Sequence, residues 1–156
     1  MNRILVVDDQ SEVRGFLRRS LERSGYWVRE ATNGIEAVKL GRQLRPDLVV
    51  TDLIMPEREG YEAIAELSAR FPGLPILAIS GYAEHNLAAA LKLGASHCLP
   101  KPFTVEELSD AVQLTFHYAR VTLPDPEPET RLKDGASGEP GVGETSPPSV
   151  SPIMAP

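Results

Sequence analysis

The sequence predicts an α/β fold in which one parallel sheet carries helices on both faces. Three observations carry that expectation. Strand-like and helix-like segments alternate five times between residues 3 and 120, and a repeated βα unit implies parallel strands joined by right-handed crossovers. The run LVVT at 48–51 is apolar at consecutive rather than alternate positions, as in strands covered on both faces. Composition then shifts sharply near residue 121. The alternating part is therefore too short for a closed eight-stranded barrel.

Taken in order, RILVV at 3–7 reads as the first strand. A helix from Ser11 to Ser24 follows, with Val13, Phe16, Leu17 and Leu21 at helical spacing and Gly25 as its stop. Gly15 inside it costs ~1 kcal/mol relative to alanine, and close helix packing is the expected reason. Tyr26–Ala31 is the second strand, with Trp27 expected to pack against the first helix. Gly34–Leu44 carries Ile35, Val38 and Leu44 on a helical period and closes at Pro46. Leu48–Thr51 is the third strand, and Gly60–Arg70 is helical through Ile64 and Leu67. Pro75–Ile79 is the fourth strand, with proline at its first residue. Ala83–Leu93 is a helix ended by Gly94, and His97–Leu99 is a short fifth strand. The last helix opens on a capping box, Thr104 with Glu107, and runs through Leu108, Val112 and Phe116. Five βα units give a (βα)5 flavodoxin-like sheet with strand order 2-1-3-4-5.

Composition bounds the function. The chain of 156 residues is 42% hydrophobic and 24% charged, with a net charge of −6. Those values suit a soluble globular protein and argue against a nucleic-acid or anionic-membrane surface. One cysteine, Cys98, excludes an internal disulfide, and no Cys/His cluster has zinc spacing. The opening MNRILVVDDQ is not expected to act as a signal peptide, and no apolar run approaches the ~20 residues that span a bilayer. A cytoplasmic location is expected. Residues 121–156 hold eight of the fourteen prolines and six acids against Arg131 and Lys133. They are expected to form a disordered Pro/Gly-rich acidic tail after a domain at 1–120, too short to fold as an output domain.

The strand ends carry the chemistry. In open α/β sheets ligands sit outside the carboxyl ends of the strands, where strand order reverses. Here that point lies between strand one, ending in Asp8 and Asp9, and strand three, ending in Asp52. Strand four ends in Ser80, and the loop after strand five holds Lys101. Three carboxylates within a few ångströms repel, and alone one of them would take up a proton. Mg²⁺ suits such oxygens and keeps several of its waters. With Lys101 it neutralises the three acids, leaving room for one anionic group. A phosphoryl group fits, bridging metal, Lys101 and the Ser80 hydroxyl, with Asp52 as the nucleophile.

These residues resemble a receiver domain of the response-regulator family, the phosphoacceptor half of two-component signalling, of the stand-alone type. The matching pieces are Asp8-Asp9 after ILVV, Asp52 in DLIMPEREG, Ser80 after PILAI, GAS at 94–96 and Lys101-Pro102-Phe103. The resemblance implies phosphorylation of Asp52 by a partner histidine kinase or histidine phosphotransfer protein. It implies Mg²⁺ held by Asp9, Asp52 and the Ile54 carbonyl, with Asp8 acting through water. Ser80 and Lys101 would bind phosphoryl oxygens, and Lys101-Pro102 would be cis. The signal would pass to a downstream protein through the face of helix four, strand five and helix five, from a monomer or transient dimer. No enzyme activity is implied beyond self-phosphorylation and autodephosphorylation.

Other readings fit less well. A flavodoxin-like cofactor binder needs a Ser/Thr/Gly-rich loop after strand one, where this chain has Asp8-Asp9-Gln10-Ser11. A phosphohydrolase with an aspartyl intermediate usually has an acid two residues after the nucleophile, where this chain has Ile54. A degenerate receiver that binds partners without phosphorylation is the alternative within the family. Two departures bear on behaviour. Receivers commonly have Tyr or Phe where this chain has Cys98, which shifts the expected switching route to Ser80 and the loop Gly81-Tyr82-Ala83. Ile54 and Tyr82 flank the path of attacking water, so a long-lived phosphoryl group is expected. His85, His97 and His117 read as surface or packing residues, and Arg14 and Arg18 as a solvated helix face that docks the phosphodonor in receivers.

Overall fold

The structure is a computed structural model, and it describes residues 1–53, 55, 59–81 and 85–122. All of these belong to one of the two units into which the chain divides, Met1–Pro126. Ten elements alternate along it: β1 Arg3–Val7, α1 Ser11–Arg23, β2 Trp27–Ala31, α2 Gly34–Leu44, β3 Leu48–Asp52, α3 Glu59–Arg70, β4 Ile76–Ser80, α4 His85–Leu93, β5 His97–Pro100 and α5 Val105–Thr122. Helix α5 passes the expected boundary at residue 120, while the residues beyond Thr122 lie outside the described ones. The strands form one parallel sheet in the order β2-β1-β3-β4-β5.

Side chains alternate across a strand, and here both faces of the central strands are apolar. Leu5, Val7, Val49, Ile76 and Ala78 join Val38, Ile64 and Leu67 in one core. Ile4, Val6, Leu48, Val50, Leu77 and Ile79 join Leu17, Leu21, Leu108 and Val112 in the other. Helices α2 and α3 thus cover one face, and α1 and α5 the other. Caps fix where the helices begin. The Asn33 side chain accepts from Glu36 N–H at 2.8 Å, and the Glu36 carboxylate accepts from Thr32 N–H at 2.8 Å. At α5 the Thr104 hydroxyl accepts from Glu107 N–H at 3.1 Å, the expected capping contact.

Four expectations need correction. Ile35 is 83% exposed, because α2 turns its small residues Gly34, Ala37 and Gly41 inward. A Cβ on Gly41 would sit 3.0 Å from the Phe71 ring, so the close approach of α3 selects that face. Trp27 leaves α1 to other residues: it is 36% exposed at the start of an edge strand, with the Arg29 guanidinium 5.1 Å over its ring. Gly15 meets no neighbouring helix; the group beside it is the Arg19 guanidinium. Strand β4 runs Ile76–Ser80 rather than Pro75–Ile79 and β3 takes in Asp52, so Asp52 and Ser80 end their strands, as the reading of the strand ends required.

Candidate functional site

Strand register brings the polar ends together. Val7 lies level with Thr51, Asp52 with Ile79, and Ser80 with Pro100. Asp8 therefore leaves β1 beside Asp52, and Lys101 leaves β5 beside Ser80. The Lys101 N–H donates to the Ser80 carbonyl at 2.7 Å, and the Lys101-Pro102 peptide is cis. Lys101 Nζ then reaches across to Asp52 Oδ2 at 3.3 Å.

The acids cluster as their positions require. Asp8, Asp9 and Asp52 each offer a carboxylate oxygen, and these lie within 4.8 Å of one another. Among the described residues this is where side chains are grouped to hold a metal ion. Asp8 is 1% exposed and Asp52 6%, whereas Asp9 faces solvent. Burial pushes the Asp8 carboxyl up to about 6. The charges of Asp52 and Asp9 add to that rise, against the Gln10 N–H and Lys101. The Gln10 N–H donates to Asp8 Oδ1 at 2.8 Å, and the Asp8 N–H donates to the Ala31 carbonyl at 3.2 Å. Close oxygen donors that repel one another and hold a proton too tightly are what a hard divalent cation relieves, so the donor set fits Mg²⁺.

Two contributors escaped the sequence reading. Arg14 is not solvated: its Nη1–H donates to the Asp8 carbonyl oxygen at 2.8 Å. Gly60 opens α3 against the end of β3, where any Cβ would overlap the Asp52 carbonyl oxygen. The glycine was legible in DLIMPEREG as a close-approach signal, but Arg14 was not, because its partner is main chain. Ile54 and Tyr82, and the Ile54 carbonyl with them, lie outside the described residues. Cys98 sits in the core beside α3 and α4, and burial pushes its thiol up to about 11. His97 is partly buried against the ring of Tyr118 at 6.0 Å, and burial lowers its proton affinity.

A family model described as the response regulator receiver domain matches residues 4–113. The chain belongs to that family. Among curated relatives of this receiver, the response regulator MprA of Mycobacterium sp. (strain KMS) is 42% identical over 129 residues, covering 82% of this chain and 55% of that protein. MprA of Mycobacterium leprae (strain TN) is 40% identical over the same length. The receiver thus spans about half the length of the curated relatives it matches. Among solved structures, a response regulator receiver domain protein from Clostridium thermocellum superposes with a TM-score of 0.72 at 27% identity, covering 79% of this chain and 100% of that one. The chemotaxis protein CheY4 of Vibrio cholerae gives 0.70 at 28%, covering 72% and 97%. The order 2-1-3-4-5 agrees with these neighbours. Among the described residues of the receiver, no helix is long and apolar enough to cross a membrane.

Proposed function

We propose that this receiver accepts a phosphoryl group on Asp52 from a phosphohistidine of a partner kinase or phosphotransfer protein. It then signals by binding a downstream protein through the face of α4, β5 and α5. The observation that carries this reading is the Lys101 ammonium 3.3 Å from a nearly buried Asp52 carboxylate, beside two further acids. In the transfer an Asp52 oxygen bonds to phosphorus. The P–N bond to the donor histidine breaks, and its electron pair stays on the imidazole nitrogen, which is then protonated. Lys101 offsets the negative charge arriving at Asp52, and Ser80 is assigned a phosphoryl-oxygen contact on this reading. Asp8, Asp9 and Asp52 would hold Mg²⁺, which when bound supplies positive charge against the phosphoryl oxygens.

The test is incubation with acetyl phosphate, with and without Mg²⁺, followed by intact-mass and peptide mass spectrometry. A gain of about 80 Da, one phosphoryl group, is expected on the peptide containing Asp52 and only with Mg²⁺. No gain under either condition, or a gain mapped elsewhere, overturns the assignment.

A further inference from the structure

Arg14 and Arg18 lie one turn apart on helix α1, and they make different contacts. Arg18 lies at the surface with its side chain 48% exposed, donating from Nε to Glu22 at 2.9 Å and from Nη1 to Glu30 at 3.2 Å. The Arg14 side chain is only 15% exposed. Its Nε is buried without a hydrogen-bond partner and faces Glu30 at 3.7 Å. A guanidinium is costly to bury, and Arg18 holds the shared carboxylate more closely. The hydrogen bond that Arg14 makes is the 2.8 Å donation from Nη1 to the Asp8 carbonyl oxygen.

We infer that Arg14 is a positioning residue for the acidic pair at the end of β1. The peptide joining Asp8 to Asp9 is planar, so fixing its carbonyl fixes the direction in which the chain enters Asp9. The Asp8 N–H is held by Ala31 and the Asp8 side chain by Gln10. Arg14 acts on the carbonyl, the group on the Asp9 side. Asp9 is exposed and has little packing of its own to aim it, so the place of its carboxylate beside Asp8 and Asp52 depends on that plane. The inference rests on the metal-centre reading given above, with Asp9 as a ligand.

Charge and geometry predict opposite signs. A cation near a metal site repels the metal, so by Coulomb's law alone losing Arg14 tightens Mg²⁺ binding. Positioning requires that binding weaken. Mg²⁺ titration of the full chain by calorimetry, with amide NMR of the same samples, separates the two. Arg14→Met keeps the apolar stem and removes the donor. It is expected to weaken Mg²⁺ roughly tenfold, the low end of what outer partners of metal ligands contribute, with metal-free amide shifts centred on residues 8–10. Arg18→Met is expected to stay within about twofold of wild type, as surface pairs contribute little. Equal or tighter Mg²⁺ binding by Arg14→Met overturns the inference. Should Arg14→Met not fold, Arg14→Lys carries the test. It keeps the charge but is shorter and lacks the planar fork, so positioning requires weaker binding there too, and wild-type affinity overturns it. Wild-type protein that takes up no Mg²⁺ fails the metal-centre reading itself, and with it the inference. Wild type that binds while Arg14→Met binds equally well fails the positioning role alone.

Discussion

Asp8 and Asp52 end adjacent strands, both nearly out of solvent, yet they meet different neighbours. Lys101 pairs with Asp52 at 3.3 Å, while Asp8 has a backbone N–H and two facing acids. In the unfolded chain Asp8 has its ordinary value of 3.8, and in the folded protein about 6. Between those values the folded protein keeps a proton that the unfolded chain has released. The Asp8 contribution to stability is therefore full below the window and lost as pH rises through it. Urea unfolding in a metal chelator from pH 4 to 7 is expected to show this fall in wild type and a smaller one in Asp8→Asn; equal slopes would contradict the assignment. Mg²⁺ and the proton would compete for the same carboxylate, so metal affinity is expected to drop as pH falls below about 6. Asp52→Asn is expected to abolish the mass gain from acetyl phosphate, since an amide is no nucleophile here. It also removes a charge facing Asp8, and a metal-free thermal midpoint a few degrees higher is the measurable result. Phosphate still found at residue 52 would sink the nucleophile.

At the scale of elements, two helical glycines make opposite predictions. Alanine at Gly60 drives its Cβ into the main chain of Asp52 and Leu53, which cannot yield without moving the end of β3. Gly60→Ala is expected to cost about 1–3 kcal/mol, the usual range for overpacking, and to slow phosphorylation. At Gly15 the new Cβ meets only the tip of the Arg19 side chain, at 3.2 Å from Nη1. That tip swings away, so Gly15→Ala is expected to stabilise α1 by up to about 1 kcal/mol. Chemical denaturation of both variants checks the pair. The same contrast marks what sequence makes legible. The run Leu48–Thr51 ending at Asp52 announces a strand and its carboxyl end, and five such units point to a parallel sheet whose order the flavodoxin-like pattern supplied. The inward face of α2 was hidden, because Gly34, Ala37 and Gly41 carry almost no hydropathy signal and Ile35 outweighs them. Arg14 was hidden for another reason. Side-chain patterning predicts which side chains share a face, whereas its partner is a carbonyl six residues earlier.

In the molecule as a whole, the sheet divides two apolar cores, and Cys98 lies in the one shared with α2 and α3. Tyr61 of α3 packs against that same core and is close enough for Cys98 to raise its proton affinity, after the larger effect of its own burial. A thiol exchanges far less surface on moving than an aromatic ring, which buries 150–250 Å². Phosphorylation is thus expected to act through Ser80 and the segment after it. Amide NMR with beryllofluoride is expected to show shifts concentrated at residues 80–95 and weak at 97–99. Strong shifts along β5 that persist in Cys98→Ala would show a different route.

The register of the strand ends constrains what changes of length such a chain can absorb. What brings Asp8, Asp52, Ser80 and Lys101 to one rim is that β1, β3 and β4 each span five residues and each start is stepped by only one residue, Leu48 lying level with Ile4 and Ile76 with Val49. Because successive side chains point to opposite faces, a single residue inserted into β3 would carry Asp52 one position along the strand and put the residue before it in its place. Exchanging one buried aliphatic for another leaves the rim untouched. A residue added in a turn at the amino end of a strand is therefore expected to leave all four groups in place, where one added inside β3 displaces Asp52.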